Sequence, residues 1–339
     1  MKFSAVITIV CCGCAVIGSP AQSASELPAG LEIHSYTGWD KSIFLNATET
    51  PVQAVIVPSV GGRIVHFSLQ GENILFENSA TEGRTMADSQ EELWIGGYQC
   101  DVGPESRHLP PHLELLQGQN DYKFSGDFAL HVSSRPDLNL GIVLEKDFVL
   151  APDTGELGIV QRLRNISSRP VSYALRDKTL CKGGGFVFFP LNKKSRFKAG
   201  WSQSRMADGK QSYDGEHPNS PQARLLDGVL VIQAVGEVTK IGADSASGWI
   251  GYARDKQLFV KYFPVTPHGL YSDGGNTVEV YFDQRAVELS PLSPETKVPP
   301  GQAFDFPEKW ALLALPRAIT TWEEARALVR KIPASPFGP

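Results

Sequence analysis

Cysteine and methionine are scarce in this chain, with five cysteines and three methionines in 339 residues. Cys11, Cys12 and Cys14 stand near the end of an N-terminal apolar run, which leaves Cys100 and Cys181 as the only two beyond it. Past that run no Cys-x-x-Cys spacing exists, which argues against a thiolate metal site. An excess of charge of one sign is also missing: 32 Lys and Arg against 37 Asp and Glu give a formal net charge of −5. With no basic stripe interleaved with aromatics, nucleic acid is not an expected partner. The hydrolase elbow Gly-x-Ser-x-Gly, the Walker loop and the dinucleotide fingerprint are all absent, and no cofactor is expected. No apolar run is a good membrane span, because even the N-terminal one is short and soon followed by Pro20.

The first residues read as a targeting segment. Met1-Lys2 is a short basic start, Phe3 to Ile17 an apolar stretch, and Ala21-Gln22-Ser23 a small-residue cleavage pattern. Residues 1–23 are therefore expected to be a signal peptide, with the mature chain secreted or periplasmic. Gly13-Cys14 has the order of a lipidation site, so a lipoprotein anchor is a minor alternative that Cys11 and Cys12 fit poorly. In an oxidising compartment Cys100 and Cys181 are either a disulfide or two separate buried thiols, and spacing does not choose between them.

Strand signals dominate the rest of the chain. Period-two alternation marks Val52–Val57, Arg63–Ser68, Phe128–Val132, Ile142–Leu150, Leu157–Arg164, Val171–Leu175, Phe186–Phe189 and a series from Gly228 to Leu289. Turn clusters such as Ala151-Pro-Asp-Thr-Gly155 and Asp273-Gly-Gly-Asn276 separate them. The central strand of the Leu144–Val171 meander is expected to turn Ile159, Gln161 and Leu163 to one face and Val160, Arg162 and Arg164 to the other. The pattern predicts an all-β antiparallel sandwich or barrel rather than an α/β fold. One helix stands out, Thr320–Lys331, with Thr320 and Glu323 at capping-box spacing and Pro333 ending it. The Pro-rich tail after Ile332 is expected to be unstructured.

Val57 to Phe76 reads as two short strands around Gly61-Gly62-Arg63, with a Gly71-Glu72-Asn73 turn. This hairpin, the Leu144–Pro170 meander ending in Asn165-Ile-Ser, the strands within Trp249–Phe282, and Glu288-Leu-Ser-Pro-Leu-Ser-Pro294 with Val298-Pro-Pro-Gly301 and Trp310 together carry a resemblance. Across roughly residues 30 to 315, the chain resembles the galactose-mutarotase-like (aldose 1-epimerase-like) superfamily, and within it a poorly characterised bacterial family of domains of unknown function. The resemblance implies a galactose-mutarotase-like β-supersandwich over residues 30–318, followed by a C-terminal helix and tail over 319–339. It also implies a concave face that binds carbohydrate, either a free sugar or a glycan.

Mutarotation in that superfamily uses a carboxylate base on the anomeric hydroxyl and a histidine acid on the ring oxygen. Glu288 matches the carboxylate, on a strand before a Pro-Gly turn, and Arg63 matches an orienting arginine. The relatives' histidine position reads Arg176-Asp177-Lys178-Thr179 here, so Asp177 or Lys178 would have to replace it. Residues Gly96 to His112 concentrate Asp101, Glu105, Arg107, His108 and His112 among Gly and Pro, with Trp94 and Tyr98 upstream as sugar platforms. His108 or His112 is the candidate acid, and His268 a candidate at the rim. The prolines around His108 and His112 exclude a helix that would align them on a metal. The residues leave three readings open: an epimerase-like enzyme, a non-catalytic carbohydrate-binding module, and a cell-envelope scaffold. Convergence of Glu288, Arg63 and a histidine in one pocket would favour the first.

Overall fold

A computed structural model describes residues 27–104, 111–207 and 210–338. The predicted signal segment, Glu105, Arg107 and His108 lie outside the described residues. Among the described residues the strands form two antiparallel sheets, one 13-stranded and one 10-stranded. Ile43, Ile56, Leu175, Val280 and Leu289 of the larger sheet share one buried cluster with Leu144, Ile159, Phe259 and Trp310 of the smaller. The two sheets are thus packed face to face, as alternating apolar side chains require.

Six strands of the larger sheet position the candidate site: β1 (Arg63–Leu69), β2 (Gly97–Gly103), β3 (Val171–Lys182), β4 (Thr239–Ala243), β5 (Val278–Phe282) and β6 (Ala286–Pro291). Their spatial order is β1-β2-β3-β6-β5-β4. In the smaller sheet the Leu157–Asn165 strand lies between Ile142–Leu150 and Ala303–Ala314. Ile159, Gln161 and Leu163 of that strand are buried, while Arg162 and Arg164 lie outward on Asp305 and Glu145 at 2.8 Å, as the alternation predicts. Asn165 clamps the next turn, donating to the carbonyls of Arg169 and Val298.

The Gly61-Gly62 pair has a packing role. Both residues have positive φ, 78° and 58°, and a Cβ on Gly61 would stand 2.4 Å from the Leu116 carbonyl oxygen. Glycine therefore lets this turn approach a short helix, α1 (Leu113–Gln117), which the Gly/Pro-rich composition of the region concealed. The C-terminal helix, α2, is Trp322–Ala327, with its capping box one residue later than predicted, on Thr321 and Glu324. The tail after Ile332 also departs from expectation: Phe337 packs against a cluster containing Phe188, Trp249 and Leu328.

Candidate functional site

β2 and β3 are the strands least legible in the sequence, and they sit at the centre of the site. On β2, Tyr98, Cys100 and Val102 point into the sandwich. The alternation of a strand then sends Gln99 and Asp101 to the outer face. On β3, Leu175 and Cys181 point inward and Arg176, Lys178 and Leu180 outward by the same rule. Pairing aligns Asp101 with Arg176 and Gln99 with Lys178. On the other side of β3, Leu180 pairs with Glu288 of β6, and Glu288 pairs with Tyr281 of β5. Ser290 pairs with Glu279, and Glu279 with Gly242 of β4. A polar band therefore crosses the outer face from β1 to β4.

Ion pairs tie the band together. Lys178 Nζ lies 2.7 Å from Asp101 Oδ2. Lys240 Nζ and Arg176 Nη2 lie 2.9 and 3.3 Å from Glu279 Oε2. Arg176 Nε also faces Asp273 at 3.7 Å, and the Ser290 hydroxyl donates to Glu288 Oε1 at 2.7 Å. Burial alone would depress the Lys178 ammonium, but Asp101 and then Glu288 outweigh it against the opposing Arg176, so its pKa is raised and its charge is held. Burial, then Asp283 and Glu288, raise the Tyr281 phenol, which keeps its proton at neutral pH.

The other predicted residues divide sharply. Arg63 joins this face but is 2 % exposed, donating to the Gly96 carbonyl at 2.8 Å, to Gln99 Oε1 and to the Leu116 carbonyl. Burial pulls its pKa down to about 10, against Glu92. It positions Gln99 rather than lying open to a sugar. Trp94 is not an open platform either: the Arg285 guanidinium lies 4.4 Å from its ring centre and the Phe76 ring 4.8 Å.

Tyr98 is fully buried between the sheets against Trp310 and Phe148, so its ring meets no ligand on the outer face. Asp177 is corrected in the same way. It points inward, 2.5 Å from Lys261 Nζ, with Glu308 on the same ammonium at 3.5 Å. Desolvation and the nearby Glu308 carboxylate raise its pKa well above the usual range, against Lys261. Of the Asp177-Lys178 pair, only Lys178 reaches the face that holds Glu288.

His112 stands at the start of α1, its Nδ1 3.3 Å from Asp137 on the connection into the Ile142–Leu150 strand. His268 lines a separate cleft whose walls include neither Glu288 nor Lys178. Among the described residues, then, Glu288 acts on Lys178 and on Tyr281 rather than on a histidine.

The disulfide does not form: Cys100 and Cys181 are free, buried thiols. Cys100 pairs with Asp177, four residues from Cys181 along β3. That is about 13 Å of strand, roughly twice the Cα separation a disulfide tolerates.

Gln99, Glu279, Lys240, Tyr281 and Ser290 were not singled out from sequence. The signal was present in β2, where Tyr98, Cys100 and Val102 alternate with Gln99 and Asp101, but flanking glycines and prolines gave the segment the look of a loop.

No protein-family model matches the chain, and no curated protein matches it in sequence. Solved structures do. A candidate aldose 1-epimerase from Escherichia coli K12 aligns with a TM-score of 0.54 at 9% identity, covering 84% of this chain and 100% of that one. A galactose mutarotase-like protein from Lactobacillus casei ATCC 334 aligns at 0.53 and 10% identity, covering 80% and 100%. A TPR-domain containing protein from Parabacteroides distasonis ATCC 8503 aligns at 0.54 and 14% identity, covering 88% of this chain and 50% of that one. Identities this low speak to architecture alone, and one sheet architecture serves several kinds of protein. The chain has the galactose mutarotase-like fold, an all-β sandwich of two large antiparallel sheets.

Proposed function

We propose that the outer face of the larger sheet binds a carbohydrate, with Glu288 and Lys178 at the centre. The observation that carries this reading is the polar band itself, in which Lys178, Glu288 and Tyr281 stand on neighbouring strands of one face. A sugar hydroxyl both donates and accepts, so vicinal hydroxyls suit a surface where carboxylate and ammonium alternate. The solved structures of the same fold, among them a galactose mutarotase-like protein, support a sugar as the ligand class. The basic, apolar and small-residue order of residues 2–23 supports export of the mature chain.

The Glu288–Tyr281 cross-strand pair favours a catalytic form of this reading. Side chains so paired lie about 5 Å apart at Cβ, close enough to address one sugar ring. Glu288 would take the proton of the anomeric hydroxyl while the Tyr281 phenol donates to the ring oxygen. The C1–O5 bond breaks to the open aldehyde, and closure on the other face returns both protons. Lys178, on the neighbouring strand of the same face, would donate to a sugar hydroxyl beside the reacting centre.

The test is anomer exchange by NMR on the mature chain, over hexoses, pentoses and uronic acids, with Glu288→Gln as control. Exchange faster than the spontaneous rate and lost in Glu288→Gln supports catalysis. Line broadening without exchange supports a binding module. No response to any sugar overturns the carbohydrate reading.

A further inference from the structure

Beside the polar band lies a cleft of about 360 Å³, walled by Lys194, Arg196, Asp244, His268, Tyr271 and Thr277 among others. It lies at the end of the ladders that carry the band. Thr277 precedes β5, its N–H donates to the Ala243 carbonyl at 2.8 Å, and its own carbonyl accepts from Leu292 N–H at 3.0 Å. Those bonds prolong the β4-β5-β6 ladders past Glu279. The turn Asp273–Gly275 separates the two regions, with Asp273 paired to Arg176 of the band and Gly275 lining the cleft.

The charge of the cleft runs against that of the chain. The formal net charge is −5, yet Lys193, Lys194, Arg196 and Lys198 fall within six residues. Lys198 is used by Glu216 at 3.0 Å. Asp244, the carboxylate in the wall, accepts from the Ser195 hydroxyl at 2.5 Å and the Arg196 backbone N–H at 2.8 Å. It is thereby occupied in fixing the loop. Among the described residues, no carboxylate lies at ion-pair distance from the Lys194 ammonium or the Arg196 guanidinium.

Two backbone features shape the walls of the cleft. Gly275 has φ +91°, and a Cβ there would stand 1.8 Å from Arg196 Nη1, so only glycine lets the guanidinium lie against this turn. His268 has φ +59°, a left-handed backbone that is uncommon outside glycine and turns the chain at the mouth. Tyr271 supplies a buried ring, its hydroxyl accepting from Thr266 N–H at 2.9 Å.

We infer that this cleft is a subsite for the anionic group of an acidic saccharide, with Lys194 and Arg196 binding the carboxylate or sulfate and His268 at the entrance. The inference rests on the outer face being a carbohydrate surface and names the class of sugar it takes. An arginine fork matches two oxygens of one carboxylate or sulfate, and an exposed lysine adds a movable donor. Neutral residues of the same glycan would extend onto Lys178, Glu288 and Tyr281.

Binding of tri-galacturonate, of its methyl ester and of a sulfated disaccharide to the mature chain tests this by NMR and calorimetry. The expected result is at least about tenfold tighter binding of an acidic sugar than of the ester. The preference weakens with added salt, and the imidazole resonances of His268 shift. Arg196→Gln and Lys194→Gln should each lose about tenfold for the acidic ligand and leave the ester unchanged. The exposed Lys194→Gln serves where Arg196→Gln disturbs the Gly275 turn, and the two acidic probes distinguish carboxylate from sulfate. Equal affinity for acid and ester, or a preference that survives both substitutions, overturns the subsite. If neutral sugars bind and acidic ones gain nothing, the subsite fails and the carbohydrate surface stands. If no sugar binds, both fail.

Discussion

Asp177 and Lys178 are consecutive residues whose charges lie on opposite faces of one sheet. Lys178 Nζ meets Asp101 Oδ2 at 2.7 Å on the outer face, and Asp177 Oδ1 meets Lys261 Nζ at 2.5 Å between the sheets. One peptide bond thus joins the proposed ligand surface to a buried cluster that also holds Glu308, Thr179 and Gln161. Asp177→Asn and Asp101→Asn should therefore have separable consequences.

Asp177 sets a pH dependence of stability. Its folded pKa is raised, so the folded state holds this proton more tightly than the unfolded chain does. Its contribution is full below the unfolded value of about 3.9 and is lost as pH rises through the folded value. Urea unfolding from pH 4 upward should show wild type losing stability relative to Asp177→Asn. A parallel pair of profiles would refute the assignment.

Lys146 predicts the opposite slope in a different window. Burial lowers its pKa to about 8, with only the Gly61 carbonyl as hydrogen-bond acceptor among the described residues. For a lysine so depressed, stability is present above about pH 10.4 and is lost as pH falls through about 8. Unfolding free energy should rise by about 3 kcal/mol across that interval. Lys146→Met should remove the rise.

Asp101→Asn breaks the Lys178 ion pair with little change of shape. Asp101 is 2 % exposed, so the loss should be about 3 kcal/mol by denaturant midpoint, with the slope unchanged. Arg63→Met should cost a similar amount, about 3 kcal/mol, because it leaves acceptors on Gly96, Gln99 and Leu116 without their buried donor.

The two thiols give a covalent check. Burial raises both Cys100 and Cys181, so native protein should resist alkylation at each position until it unfolds. Peptide mapping without reductant should recover both as separate free-thiol peptides. A peptide cross-linked between Cys100 and Cys181 would contradict the β2–β3 register.

Much of the architecture was legible because strand alternation is written locally. The facing of Ile159, Gln161 and Leu163 against Arg162 and Arg164 followed from period two alone. So did the hairpin around Gly61-Gly62. β2 was not legible, since its alternation is bounded by Gly96, Gly97 and Gly103 and two of its positions are polar. β3 was read only as far as Leu175, because Arg176, Asp177 and Lys178 break the apolar pattern. Buried charges look like a turn in sequence and are tolerated in a strand only when partners arrive from elsewhere.

The sequence by itself determined an antiparallel all-β chain, its turn chemistry and a capped C-terminal helix, because each depends on residues a few positions apart. Only the tertiary structure decided that Glu288 pairs across strands with Tyr281 on the face that carries Lys178, that Arg63 is spent on Gln99, and that Asp177 faces Lys261. Apart from the Tyr281–Glu288 hairpin pair, seven positions apart, these relationships join residues 36 to 110 positions apart. They depend on the register of neighbouring strands and the packing of two sheets, and a shift of one residue would send every one of these side chains to the other face.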